Sequence, residues 1–281
     1  MIIGTVGDGL SLLQLIILAI VRGITNFLSI SSSAHLVLVP APTGWPDQGL
    51  AIDVALHIGS LLAVMLYFRQ DVARLSIGGV KALAGRWTPD GRLAVQLIAA
   101  TLPVMMAGIV LQDAIAGPLR SPAIIAATTI GFGLLLWLSD RNAEAKTLTL
   151  EGISWKIVLF ISVFFQALAL VPGVSRSGIT MTAALFAGLK RTEAARFSLL
   201  LSIPTTAAAG GLGVLDIMEA GDSDMATDAI IAGVLAFGAA YIAIAWLMQF
   251  LKTASFAPVV IYRLLLGAIL IGLTATGVLT T

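Results

Sequence analysis

The chain has 281 residues, 58% of them hydrophobic and only 11% charged, against roughly 25% charged in an ordinary soluble domain. A soluble globule of this length has too little interior for that much apolar surface, and a net charge of +1 provides no basic field for a nucleic-acid partner. The absence of cysteine excludes disulfides, thiolate metal sites and cysteine nucleophiles. The composition is that of a polytopic membrane protein.

Met1–Ile20 carries no Lys or Arg ahead of its apolar run and no small-residue cleavage site, so no removable signal peptide is expected. Leu10–Val21 is apolar but too short to cross a bilayer, and it runs into a Gly/Ser-rich polar stretch followed by another short apolar piece. Polar irregular backbone is tolerated at membrane depth only where protein or a water-filled cavity surrounds it. Residues 10–40 are therefore predicted to form a re-entrant helical hairpin. Apolar runs at about 50–68, 93–112 and 122–139 follow as spans. The order then recurs: Ile157–Val171 opens a second hairpin over 157–189, and spans are predicted at about 195–215, 227–250 and 259–278. The predicted fold is an all-α polytopic membrane protein, with six transmembrane helices plus two re-entrant helical hairpins.

An internal repeat agrees with this order. A shift of 144 residues lays Ile30–Leu36 over Val174–Thr180, so that Ser31 meets Ser175, Ser33 meets Ser177 and Ala34 meets Gly178. The chain reads as one integral membrane domain, 1–281, made of repeats 1–145 and 146–281. Each repeat holds three spans, and an odd number inverts the second repeat relative to the first. Thirteen of the 16 basic residues then fall on one side: Arg69, Arg74, Lys81, Arg86, Arg92, Arg141, Lys146, Lys156, Lys190, Arg191, Arg196, Lys252 and Arg263. The other side holds Arg120 with Asp47, Asp113, Asp216, Glu219, Asp222 and Asp224. The basic side is expected to be cytoplasmic, which places both termini outside, opens the first hairpin outward and opens the second inward.

Ionisable groups at membrane depth cost at least ~2.5–3.5 kcal/mol each on insertion scales, so each is a functional candidate. Here they are Arg22, His35, Asp53, His57 and Arg176, accompanied by Asn26, Gln166 and the Ser-rich tips Ser31–Ser33 and Ser175–Ser177. If the two tips meet at the midplane, Arg176 faces Ser31, Ser32, Ser33 and His35 across one cavity. Hydroxyls and freed backbone amides would donate to a phosphate, and Arg would bind it bidentately. A Ser or His could attack phosphorus with the oxyanions so held. Plainer roles compete: serines also let membrane helices pack closely, and Gln166 satisfies broken backbone. Asp53 and His57, four apart on one helix, read as a local polar pair orienting the hairpin. There is no GxxxxGK[ST] nucleotide loop and no HExxH zinc motif, and two histidines make no His-rich metal site.

The stretch Gly23–Leu36, with Asp53–Gly59 and Tyr67–Asp71, resembles the bacterial undecaprenyl-diphosphate phosphatase (bacitracin-resistance) family. Gln166–Thr180 is similar to that family's PGxSRSxxT signature, and Phe197–Pro204 to the span after it. The resemblance covers nearly the whole chain. It implies a multi-pass protein of the bacterial plasma (inner) membrane with an outward-facing cavity. The implied reaction is hydrolysis of undecaprenyl diphosphate to the monophosphate and inorganic phosphate, recycling the carrier lipid for cell-wall synthesis. Carried over by position, Ser32 is the nucleophile or a phosphate ligand, His35 the acid/base or alternative nucleophile, and Arg176 the diphosphate clamp. Ser175, Ser177 and Thr180 line the second tip, and Ser31 and Ser33 the first. The implied partners are a polyprenyl diphosphate lipid and the bilayer, with no nucleic acid and with room for a homodimer.

The sequence departs from the family where the first motif reads [E/Q]GxTEFLPxSS. Arg22 occupies its first position, Asn26 replaces its second glutamate, and Ser29 replaces its proline. The glutamate pair is associated with a divalent cation (Mg²⁺ or Ca²⁺) and with proton transfer. Arg and Asn suit a hard cation poorly, so no metal ligand is assigned here. Two readings follow: Arg22 and Asn26 bind the diphosphate directly in a phosphatase, or the site binds a polyprenyl phosphate without cleaving it, as a carrier. The topology has its own check. A cysteine at position 80 of this cysteine-free chain should be shielded from an impermeant thiol reagent added outside intact cells, and labelling there would refute the orientation.

Overall fold

The computed structural model describes residues 11–38, 49–220 and 226–279. Residues 10, 39 and 40 of the first predicted hairpin, and Asp47, Asp222 and Asp224, lie outside them. The described residues form helices and turns with no strand. In chain order they are α1 (Leu12–Thr25), α2 (Ser32–Leu38), α3 (Gly49–Tyr67), α4 (Arg69–Leu83), α5 (Pro89–Val110), α6 (Gln112–Ala116), α7 (Pro122–Asp140), α8 (Trp155–Phe160), α9 (Arg176–Phe186), α10 (Arg191–Ala220), α11 (Ala226–Phe250) and α12 (Ala257–Ala275).

Among the described residues, four helical segments are long and apolar enough to cross a membrane: α5, α7, Thr227–Phe250 of α11, and α12. Ala51–Tyr67 of α3 joins them when taken with α4, from which it is bent by 89°. Their outward faces are apolar at helical spacing, with Ile98, Leu102, Met106 and Ile109 on α5 and Ile261, Leu265 and Ile269 on α12 all exposed. A soluble bundle would bury such stripes; a lipid-facing one presents them.

The short helices have local causes. α1 has 14 residues, about 21 Å at 1.5 Å per residue, less than the ~30 Å hydrocarbon core. Ser11 and Gln14 form a capping box at its start. α8 gives way to a π-helical turn over Ile161–Gln166 and a 3₁₀ turn over Ala167–Leu170, and Pro172-Gly173 ends the run. Gly173 has φ of +90°, and a Cβ there would lie 2.0 Å from the Thr128 hydroxyl and 2.5 Å from the Ile125 carbonyl oxygen. Only glycine fits this corner.

The two halves interlock. α1 packs along α11 and α3, whereas the π turn after α8 packs on α5; α3 lies against α11 and α10, and α7 against α12. The segments that follow α1 and α8 meet in the middle. There lies Arg263, counted above with the basic side and placed here at the tips. It sits in the second turn of α12, 0% exposed, because the broken backbone around it supplies carbonyl oxygens. Its Nε donates to Thr129 O (3.1 Å), one Nη to Ser29 O (3.2 Å), and the other to Gly173 O (3.0 Å) and Val174 O (3.1 Å).

The face opposite these tips carries a charge network. Arg196 binds Asp71 with both Nε (3.1 Å) and Nη (2.6 Å) and also reaches Glu151 and Glu193. Burial would raise the Asp71 carboxyl, but hydrogen bonds from Arg196 and Arg74 outweigh it and hold the group below its ordinary value.

Candidate active site

Asn26–Ser31 connects α1 to α2, and Val171–Ser175 leads into α9. Ser29, Ser31 and Ser175 have φ of 62°, 67° and 69°, a region that costs a non-glycine residue roughly 1–3 kcal/mol. Local hydrogen bonds accompany two of these. The Ser31 hydroxyl accepts from Ala34 N and the Ser175 hydroxyl from Gly178 N, each at 3.4 Å. Ser31 also bonds Ser33 at 3.2 Å, as Ser175 bonds Ser177 at 3.4 Å. One capping device starts both short helices, 144 residues apart.

The tips touch directly. Gly173 N donates to the Ser33 hydroxyl at 2.8 Å, and the Ser29 and Ser177 hydroxyls lie 3.5 Å apart. Beside this junction is a cavity of about 310 Å³ lined by Asn26, Ser32, Ser33, His57, Pro172, Ser175 and Arg176, with Ala169–Val171 as an apolar wall. Ser32 donates to Asn26 Oδ1 at 3.1 Å, and Asn26 Nδ2 lies 3.5 Å from the Ser60 hydroxyl. Arg176 begins α9 and donates to the Thr206 hydroxyl at 2.9 Å. A larger cavity of about 660 Å³ borders Arg74, Asp90, Arg92 and Glu151. Its cations are matched by anions and it contains none of the expected site residues.

Arg22 stands next to the smaller cavity. It pairs with the Asp53 carboxylate at 3.2 Å and approaches His57 Nε2 at 3.4 Å. Asp53 and His57 meet through the backbone, where His57 Nδ1 donates to the Asp53 backbone oxygen at 2.7 Å, and the Asp53 carboxylate pairs with Arg22. His35 lies outside the cavity lining. Its Nδ1 donates to Ser31 O at 2.8 Å, and Nε2 accepts from the Tyr262 hydroxyl at 2.5 Å. Thr180 is buried against Ser198 at 2.5 Å, Ser31 and Ser177 are buried at the tips, and Gln166 donates to Thr205 at 3.3 Å.

Four residues at this site escaped the sequence reading: Tyr262, Arg263, Thr206 and Ser60. Arg263 carried a usable signal, an arginine inside an apolar run. The other three have common residue types whose role comes only from where distant helices meet.

The match to the family model for bacitracin resistance protein BacA extends over residues 15–269. The chain belongs to that family. It is 48% identical over 266 residues to a protein named undecaprenyl-diphosphatase from Teredinibacter turnerae, covering 93% of this chain and 98% of that one. It is 47% identical to the undecaprenyl-diphosphatase of Thioalkalivibrio sulfidiphilus and to undecaprenyl-diphosphatase 2 of Stutzerimonas stutzeri, each again covering 93% of this chain and 98% of the relative.

The divalent cation implied by the family resemblance does not fit the donors present. A hard cation wants several anionic oxygens. The motif positions hold a guanidinium and an amide, the neighbouring Asp53 is engaged by Arg22, and no three His, Asp or Glu side chains converge among the described residues. The cavity instead offers hydroxyls and Arg176. Arg176→Ala should lose most binding of a lipid phosphate, and Arg176→Lys should recover charge without the two-pronged geometry and bind at an intermediate level. Equilibrium binding of undecaprenyl phosphate to purified protein measures this; equal affinity in all three forms would refute the assignment.

Proposed function

We propose that this chain hydrolyses undecaprenyl diphosphate to undecaprenyl phosphate and inorganic phosphate, with the diphosphate in the cavity between the two tips. The observation that carries the reading is the convergence of Ser32, Ser33 and Arg176 from opposite halves of a chain of this family. Arg176 holds the terminal phosphate, Ser33 and Ser175 orient it, and Ser32 is the nucleophile. The apolar wall at Ala169–Val171 receives the start of the polyprenyl chain. Ser31, Ser177 and Thr180 hold the tips in shape, and His35 ties the first tip to α12 through Tyr262.

The proposed architecture is six spans and two re-entrant hairpins related as inverted repeats, with the cavity open to the outer face of the inner membrane. It is supported by the matched caps at Ser31 and Ser175 and by α1 and the α8 segment being too short or too broken to cross. In place of a bound cation, Arg22 supplies the second positive charge.

The alternative, a polyprenyl-phosphate carrier that never cleaves its ligand, is favoured by Asn26 and Arg22 standing where the family motif has acidic groups. Phosphate release from undecaprenyl diphosphate by the purified protein separates the two. Hydrolysis should proceed, be unaffected by EDTA, and fall in Arg22→Gln. Saturable binding without release would establish the carrier, and EDTA-sensitive release would contradict the role of Arg22.

A further inference from the structure

A phosphoryl transfer from this cavity needs a proton acceptor, and the first-motif residues do not supply one. Asn26 is an amide and Arg22 a guanidinium, neither of them a base. His35 has both ring nitrogens engaged outside the cavity lining. His57 does line the cavity, together with Ser32 and Arg176.

We infer that His57 is the general base of this site, covered by Arg22 in the empty protein and uncovered when Arg22 turns to the diphosphate. The inference rests on the hydrolytic reading above. Its Nδ1 lies 2.7 Å from a backbone carbonyl oxygen, which only accepts, so Nδ1 carries the proton and Nε2 holds the lone pair. That lone pair faces Arg22 Nη2, at a long 3.4 Å.

Arg22 is itself under-satisfied. Asp53 takes one Nη at 3.2 Å, while the buried Nε has no hydrogen-bond partner. A phosphate offers the guanidinium two charged oxygens in exchange for the long contact to His57 and the single Nη contact to Asp53. The charged groups acting on His57 are Arg22 from α1, Asp53 from its own helix and Arg176 from α9. α11, packed along α3, holds a single charged residue, Asp228, in its first turn. In α10, Arg191 and Arg196 are tied to Asp140 and Asp71.

The chemistry balances. The Ser32 oxygen bonds to the terminal phosphorus, the bond from that phosphorus to the bridging oxygen breaks, and the electron pair leaves on undecaprenyl monophosphate. The hydroxyl proton passes to His57 Nε2 and then to solvent. Water next attacks the phosphoserine and gives a proton to the same nitrogen. The Ser32 oxygen leaves and takes that proton back as inorganic phosphate departs.

The test is phosphate release by the full-length purified protein on undecaprenyl diphosphate from about pH 3.5 to about pH 9. His57→Gln should lower kcat by ~10²–10⁴, leave KM and undecaprenyl phosphate binding unchanged, and abolish the acid limb of the kcat profile. Free imidazole should restore part of the rate to His57→Ala, which a purely structural role would not allow. An unchanged kcat and acid limb in His57→Gln would overturn the assignment alone, as would loss of binding in step with rate. No release by the unaltered protein at any pH would overturn the hydrolytic reading and this assignment with it.

Discussion

A single guanidinium with no exposure to solvent holds the centre of this protein. Helices that stop inside the protein leave carbonyl oxygens that need a donor. Arg263 takes three such oxygens at once, from Ser29, Gly173 and Val174, and a fourth from Thr129 within α7. Neither tip could be left there alone without stranding acceptors, so each is stable because the other shares its cation. Close approach is part of the arrangement: a Cβ on Gly178 would lie 2.9 Å from an Arg263 terminal nitrogen.

The chemistry inherits its geometry from this clamp. Once the tips are joined, Ser33 bonds Gly173, Ser32 and Arg176 border the same space, and His57 closes it from α3. Arg22 and Arg176 set two positive charges against the one carboxylate of Asp53. That balance attracts a diphosphate and gives a divalent cation little reason to stay. The proposed exchange of acidic ligands for one fixed cation, Arg22, and one neutral amide, Asn26, alters how charge is neutralised while leaving the hydroxyl and arginine chemistry of the second tip in place.

Four of the predicted spans, and a fifth when taken with the helix bent from it, were legible because hydropathy sums over some twenty residues, and small local errors average out. The Ser31 and Ser175 repeat was legible for the same reason that it matters: two identical capping problems have identical solutions. Partner choice was not legible. Arg263 near the start of a predicted span was counted only with the basic side, and His35 beside a serine run looked like a cavity residue. What decided each was contact across more than 200 positions of chain, with Ser29 for one and Tyr262 for the other. Asp53 and His57 showed a helical spacing that is real; the structure adds a backbone bond from His57 to Asp53 and an ion pair from Asp53 to Arg22.

The meeting of the two tips is the claim on which the site depends, and the absence of native cysteine makes it directly measurable. With the Ser29 and Ser177 hydroxyls 3.5 Å apart, Ser29→Cys combined with Ser177→Cys should place two sulfurs within bonding range. Oxidation of the purified double variant should form an intramolecular disulfide, read as the loss of two free thiols and two hydrogens in the intact mass. Two thiols that stay reduced through that oxidation, yet react with a thiol reagent once the protein is unfolded, would contradict the account.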